Sequence, residues 1–237
     1  MNMYKFLLLL LFVNAKVIDA SICLTRFVPD QIRLTFAGKN GVSVGWHSYA
    51  CPFIIVSPYL IPTVFYGFSP TALTFTSINQ KSYVYNTQNI FKTSWFYNVE
   101  LLNLQPSTVY YYKIAASNYV SASNILSFIS PPTLGDQSRA VNIATDGDLS
   151  VDGLIGALTN GVCLFEQALK ALQKILPSVD FFLHHGDICY ADDSPLLLFG
   201  KDYEETMDYC QMAMMNITST RFYMITVLTY SKITNKS

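Results

Sequence analysis

Val179-Asp180-Phe181-Phe182-Leu183-His184-His185-Gly186-Asp187-Ile188-Cys189-Tyr190 is the stretch on which the fold turns. It opens as an apolar run of strand length and then breaks at a glycine followed by an acid, the pattern of a buried strand leaving its sheet. Asp187 and Tyr190, three residues apart, bring two oxygen donors to one small space, and Ala191-Asp192-Asp193 follows. Hard divalent and trivalent cations bind oxygen donors, and open α/β sheets hold ligands just beyond the carboxyl ends of their strands. The stretch predicts a metal site at a strand end.

Its neighbours repeat the grammar. Val141-Asn142-Ile143-Ala144-Thr145 is strand-like and runs into Asp146-Gly147-Asp148-Leu149-Ser150. Between the two strands, Val162 to Leu176 carries Leu164, Ala168, Leu172 and Ile175 at helical spacing, and Pro177 stops it. Asp202 to Met215 reads as a second helix and Phe222 to Leu228 as a third strand. Strand, helix, strand, helix, strand predicts a parallel sheet. In a right-handed βαβ unit both acid loops leave the same sheet edge, so Asp148 and Asp187, 39 residues apart, can share an ion. The glycine before each acid lets backbone approach closely. Singly, an Asp after a strand also serves as turn former or helix cap, and Tyr190 as a packed aromatic.

Residues 26 to 131 follow another rule. Ile32 to Phe36 and Val42 to Trp46 flank Gly38-Lys39-Asn40-Gly41, a hairpin signal. Tyr97 to Leu102, Val109 to Ala115 and Ile125 to Ile129 are further strand candidates. Many short strands at this spacing predict a β-sandwich. Leu104-Gln105-Pro106-Ser107-Thr108-Val109-Tyr110 has the form of a tyrosine corner, which makes the sandwich similar to a fibronectin type III module with Trp46 as its core tryptophan. Ser130-Pro131-Pro132-Thr133 breaks the strands, and Leu134 to Arg139 reads as a linker.

Bulk properties narrow the rest. The 237 residues are 51% hydrophobic and 13% charged with net charge −1, enough apolar material for packed cores. Lys and Arg form no cluster, which argues against nucleic acid as a partner. Lys5 followed by Phe6 to Val13 matches the apolar part of a secretory leader, with Ala15 and Ala20 as candidate cleavage points, so residues 1–20 are expected to be a signal peptide; a buried first helix is the alternative. No later run reaches the roughly 20 apolar residues of a membrane span. Secretion is therefore expected. Cys23, Cys51, Cys163, Cys189 and Cys210 contain no C-x-x-C spacing, and an odd count leaves at least one thiol outside any disulfide; sequence does not pair them. Asn216-Ile217-Thr218 and Asn235-Lys236-Ser237 have the form of glycosylation acceptors.

Taken together, the acid loops and the sandwich before them resemble the purple acid phosphatases, secreted binuclear-metal members of the calcineurin-like metallophosphoesterases. Val28-Pro29-Asp30-Gln31-Ile32-Arg33-Leu34 is similar to that family's entry into its sandwich, and the resemblance runs from about residue 28 to 227. It implies a multidomain β plus α/β chain: a sandwich at 26–131 and a partial metallophosphoesterase domain at 140–237. It also implies an acid phosphatase acting on small phosphate monoesters, with Fe(III) beside a second metal that is Zn, Mn or Fe. Asp148 then matches a ferric ligand, Asp187 the carboxylate bridging both metals, and Tyr190 the phenolate on iron that colours the family.

The resemblance has gaps. Ser150 stands where the family's first block ends in Gly, and Leu228-Thr229-Tyr230-Ser231 stands where its next block reads Gly-Asn-His-Glu. The second metal's Asn and the substrate-binding His of that block are absent, so no catalytic residue is assigned. Of the three histidines, His47 is expected to be structural or exposed, and His184 and His185 are not expected to be ligands. The 237 residues therefore read as a carboxyl-terminally truncated phosphatase with half a site, little turnover and an open edge beyond the third strand. Two readings compete with that one: a non-catalytic secreted binding module, and a product without a function of its own.

Overall fold

The computed structural model describes residues 28–50, 61–79, 82–85, 93–116, 121–147, 149, 164–186, 189 and 203–225. The expected leader, Asp148, Asp187, Tyr190 and Asn235 lie outside them. Two compact units result. The first holds the described residues of 28–32, 43–101 and 110–126, and the second those of 33–42, 102–109 and 127–225.

The first unit is a β-sandwich, as its alternating sequence requires. Its strands are β1 (Asp30–Phe36, which continues into the second unit), β2 (Val42–Ala50), β3 (Thr63–Gly67), β4 (Phe75–Ile78), β5 (Ser82–Tyr85), β6 (Thr93–Leu101) and β7 (Val109–Ile114). β8 (Leu126–Ile129) follows. One sheet runs β5-β6-β2-β1 and the other β4-β3-β7-β8. β3 pairs antiparallel with both β4 and β7, with Phe65 opposite Thr76 and Lys113. Every second residue points inward: Val44 and Trp46 from β2, Tyr97 and Val99 from β6, Tyr112 and Ile114 from β7 are all buried. Trp46 stacks on Tyr97 with ring centres 5.3 Å apart, which fits its expected place in the core. His47 is fully buried, its Nδ1 2.6 Å from the Asp30 carboxylate. It is structural.

The second unit includes the tip of the first hairpin. Ala37 N donates to Gly41 O, and Gly38 takes the left-handed φ of +65° that the turn needs. Leu104 N donates to Asn40 O, and Ser130 Oγ accepts from Thr108 N at 2.9 Å, tying the Leu104–Tyr110 segment to the chain after β8. Beyond β8 come β9 (Ile143–Asp146), α1 (Leu164–Ile175), a single 3-10 turn (Leu176–Ser178), β10 (Phe181–His184), α2 (Tyr203–Thr218) and β11 (Phe222–Ile225). The expected helices and strands are present among the described residues, α2 running three residues further than expected, and Pro177 sits in the turn that closes α1; the expected ends at Val162, Asp202 and Leu228 lie outside the described residues.

β9, β10 and β11 are parallel neighbours in chain order, with Phe182 opposite both Ala144 and Tyr223. Phe165 and Leu169 of α1 and Cys210, Met214 and Ile217 of α2 cover Phe182 and Tyr223 to form the core. Such spacings place one apolar stripe of each helix on the sheet. The sequence expectation of an open edge at β11 is corrected here. β1 pairs with β11 in parallel, Leu34 opposite Phe222, and Phe36 stacks on Phe222 at 4.5 Å while meeting Phe181 edge-on at 5.9 Å. A lone parallel edge leaves backbone donors and acceptors without partners, and β1 meets that demand. Among the described residues no helix is long and apolar enough to cross a membrane.

Two outcomes follow from this packing. Trp46→Ala removes a fully buried ring and should lower unfolding free energy by about 3–5 kcal/mol in urea melts. Burial raises the pKa of Tyr112 and of Tyr223, the latter raised further by the Asp146 charge and lowered by Arg33. Unfolded tyrosine ionises near pH 10, so above that pH the unfolded chain binds fewer protons than the folded one and stability falls. Tyr112→Phe/Tyr223→Phe should flatten that loss in melts taken from pH 8 to 11.

Candidate metal centre

β9 and β10 end together, Asp146 opposite His184, and that register brings the two acid loops side by side. His184 is 1% exposed, and its ring Nδ1–H donates to Asp146 Oδ1 at 2.7 Å. One residue further, His185 N donates to Asp146 O at 2.7 Å while its side chain faces solvent. Gly147 faces the His185 carbonyl so closely that an added Cβ would lie 3.1 Å from it. A larger residue there would need the His185 carbonyl to give by a few tenths of an ångström, so glycine suits the close approach.

Gly186 has φ +74° and Cys189 φ +65°, so two left-handed positions bracket Asp187-Ile188. Cys189 N donates to Leu149 O at 3.0 Å, a second tie between the loops beyond the strand ends. Cys189 is also disulfide-bonded to Cys210 of α2, with Cα atoms 6.2 Å apart, a pairing that spacing alone left open. Both cysteines are buried in the same core as Leu149 and Met214.

The described frame thus carries the neighbours of all three sequence-predicted donors: Gly147 and Leu149 beside Asp148, Gly186 before Asp187, and Cys189 before Tyr190. The donors themselves lie outside the described residues, as does Ser150. Among the described residues no group of three or more His, Cys, Asp or Glu side chains is set to hold a metal. One atom does suit a cation nearby. Asp146 Oδ2 is buried and accepts no hydrogen bond among the described residues, an arrangement that is unfavourable unless a donor or positive charge meets it. Carboxylate and phenol oxygens are the ligand types a hard ion prefers.

Sequence reasoning missed the Asp146–His184 pair. The doubled acid in Asp146-Gly147-Asp148 was the available signal, but only the strand register shows that the first acid faces a histidine. Behind the pair lie Tyr223, whose ring is 6.2 Å from His184, and Arg33, whose charge opposes that of Asp146 at Tyr223. Burial lowers the Arg33 pKa.

A cavity of about 360 Å³ opens at the other, amino-terminal end of β10 and β11, walled by Phe36, Phe181 and Phe222. Two of its cations hold protein partners. Arg139 Nη1 pairs with Asp180 at 2.8 Å, and Arg221 Nε donates to the carbonyls of Leu176 and Val179. Those bonds fasten the end of α1 to the sheet. Asn216 lies exposed on α2, whereas Thr218 of the same triplet is 3% exposed.

A family model described as the purple acid phosphatase N-terminal domain matches residues 29–130. Acid phosphatase A of Cryphonectria parasitica is 35% identical over 178 residues, covering 70% of this chain and 32% of that protein. Probable purple acid phosphatase 20 of Arabidopsis thaliana is 25% identical over 165 residues, covering 69% of this chain and 32% of that protein. The chain spans about a third of the length of these curated relatives. Among solved structures, a purple acid phosphatase from yellow lupin (Lupinus luteus) seeds matches with a TM-score of 0.60 at 18% identity, over 85% of this chain and 35% of that one. PhoD matches with a TM-score of 0.52 at 10% identity, over 85% and 39%. At these identities the two structures speak to fold.

Asp146→Ala leaves a buried imidazole without its acceptor and should destabilise the chain by roughly 1–3 kcal/mol in urea unfolding. Asp146→Asn, which keeps an oxygen for His184, should lose less.

Proposed function

Because the chain belongs to the purple acid phosphatase family, we propose that its second unit carries the iron-binding half of a centre that hydrolyses phosphate monoesters. One observation supports this above the others: the backbone bond from Cys189 N to Leu149 O draws together the two loops that bear the oxygen donors. In this reading Asp148 and Tyr190 would hold Fe(III), and Asp187 would serve both it and a second metal, Zn, Mn or Fe. When bound, such a pair supplies positive charge that offsets the phosphate oxygens and stabilises the leaving oxygen. The chain's own residues hold and orient. Asp146 and His184 lock the strand ends, and Gly147 and Gly186 let the loops meet.

Residues 26–131 then serve as a fibronectin-like domain and 140–237 as part of the phosphatase domain, behind a leader at 1–20. Secretion and glycans on Asn216 and Asn235 belong to the same reading. Asn216 is exposed, as a glycan requires. The natural substrate class is small phosphate esters, and the sequence supplies Leu228-Thr229-Tyr230-Ser231 where the second metal's ligands are expected. Turnover by this chain alone is therefore slight.

Purified chain titrated with Fe(III) should take up at most one ion and gain a visible absorption band that Tyr190→Phe abolishes. Phosphate release from p-nitrophenyl phosphate at acid pH should stay within about tenfold of buffer. Colourless, iron-free protein would favour the non-catalytic module instead, and brisk phosphate release would overturn the half-site account.

A further inference from the structure

We propose that the Cys189–Cys210 disulfide is a positioning staple for the acid and phenol loop. It holds the left-handed backbone of Cys189, which lies between Asp187 and Tyr190 in the sequence, and its state sets how firmly those donors keep a metal. The inference rests on the reading of those two residues as donors, and its first test does not.

Cys189 is not a glycine, yet it has φ +65°. The left-handed region crowds Cβ against the following carbonyl, and a residue stays there only when its surroundings dictate it. Two such ties act on Cys189. Its N–H is held by Leu149 O at 3.0 Å, and its sulfur is bonded to Cys210. Of these, the backbone bond joins loop to loop, so both loops could shift together without breaking it. The disulfide is the tie that reaches an element of another kind. Cys210 lies in α2, where Met214 and Ile217, one and two turns on, are buried against Phe182 and Tyr223. The helix is thus a fixed anchor, and Cys189 is 1% exposed at the end of the bridge. The position is also telling in the sequence: the cysteine occupies the residue directly before Tyr190 and two after Asp187.

Opening the staple is a two-electron step. A dithiol transfers two electrons and two protons, the Sγ–Sγ bond breaks, Cys189 and Cys210 become thiols, and the dithiol closes to its own disulfide. Cys189 can then leave the left-handed region, and the turn relaxes.

The test compares metal-free wild type with Cys210→Ser by amide hydrogen exchange and mass spectrometry. Peptides covering 186–190 should exchange at least tenfold faster in the variant, with β2 and α1 peptides unchanged. Cys189→Gly/Cys210→Ser should recover part of the protection, because glycine adopts the left-handed turn without a Cβ. If Cys210→Ser does not fold, oxidised wild type treated with dithiothreitol gives the same comparison. Unchanged exchange at 186–190 would overturn the proposal. So would faster exchange throughout the second unit, which marks a general stabiliser. In a second arm Fe(III) should bind Cys210→Ser at least tenfold more weakly than wild type. A wild type that takes up no Fe(III) sinks the metal reading alone, and the exchange arm still decides for or against the staple.

Discussion

The hydrogen bond between His184 and Asp146 sets what the second unit can do. The imidazole is nearly inaccessible, and Asp146 meets it from the strand beside it at the same height. The bond is made only in the observed register of β9 against β10. Once it is fixed, the residues that follow each strand leave from the same rim, Gly147 passes close to the His185 carbonyl, and Cys189 reaches Leu149. A slip of one residue would turn every side chain of a strand to the other face and separate the loops.

Around this frame the chain uses two kinds of order. The sandwich is held by alternation, with aromatic rings such as Trp46 and Tyr97 filling the space between its sheets, and it buries its own histidine against Asp30. The parallel unit is held by helices laid across one face, where the apolar stripes of α1 and α2 meet Phe182 and Tyr223. Its charged groups serve the same end. Arg221 and Arg139 fasten backbone and Asp180 at the amino-terminal rim, leaving the carboxyl-terminal rim to the acid loops. In an open α/β sheet the carboxyl-terminal rim is where ligands are expected.

The edge of β11 shows how tertiary structure answers a question that local pattern raises. Read along the chain, the third strand is expected to leave an open edge. The structure gives it β1, a strand nearly two hundred residues earlier, with Phe36 and Phe222 stacked across the join. Nothing in either strand's composition announces that pairing, because any apolar strand of suitable length could satisfy the same edge.

The sequence by itself determined the two architectures, the order of strands and helices in the parallel unit and the two acid motifs, since each rests on local periodicity, turn residues or short motifs; the strands β3, β4 and β5 of the sandwich it did not announce. The glycines before the acids were legible for the same reason: a residue without Cβ takes a close approach or a left-handed turn with the least strain. What tertiary structure alone decided are the pairings between distant residues: Asp146 with His184, Cys189 with Cys210, β1 with β11. Each depends on where helices and strands come to rest in space, and burial selects among partners that the linear chain leaves equivalent.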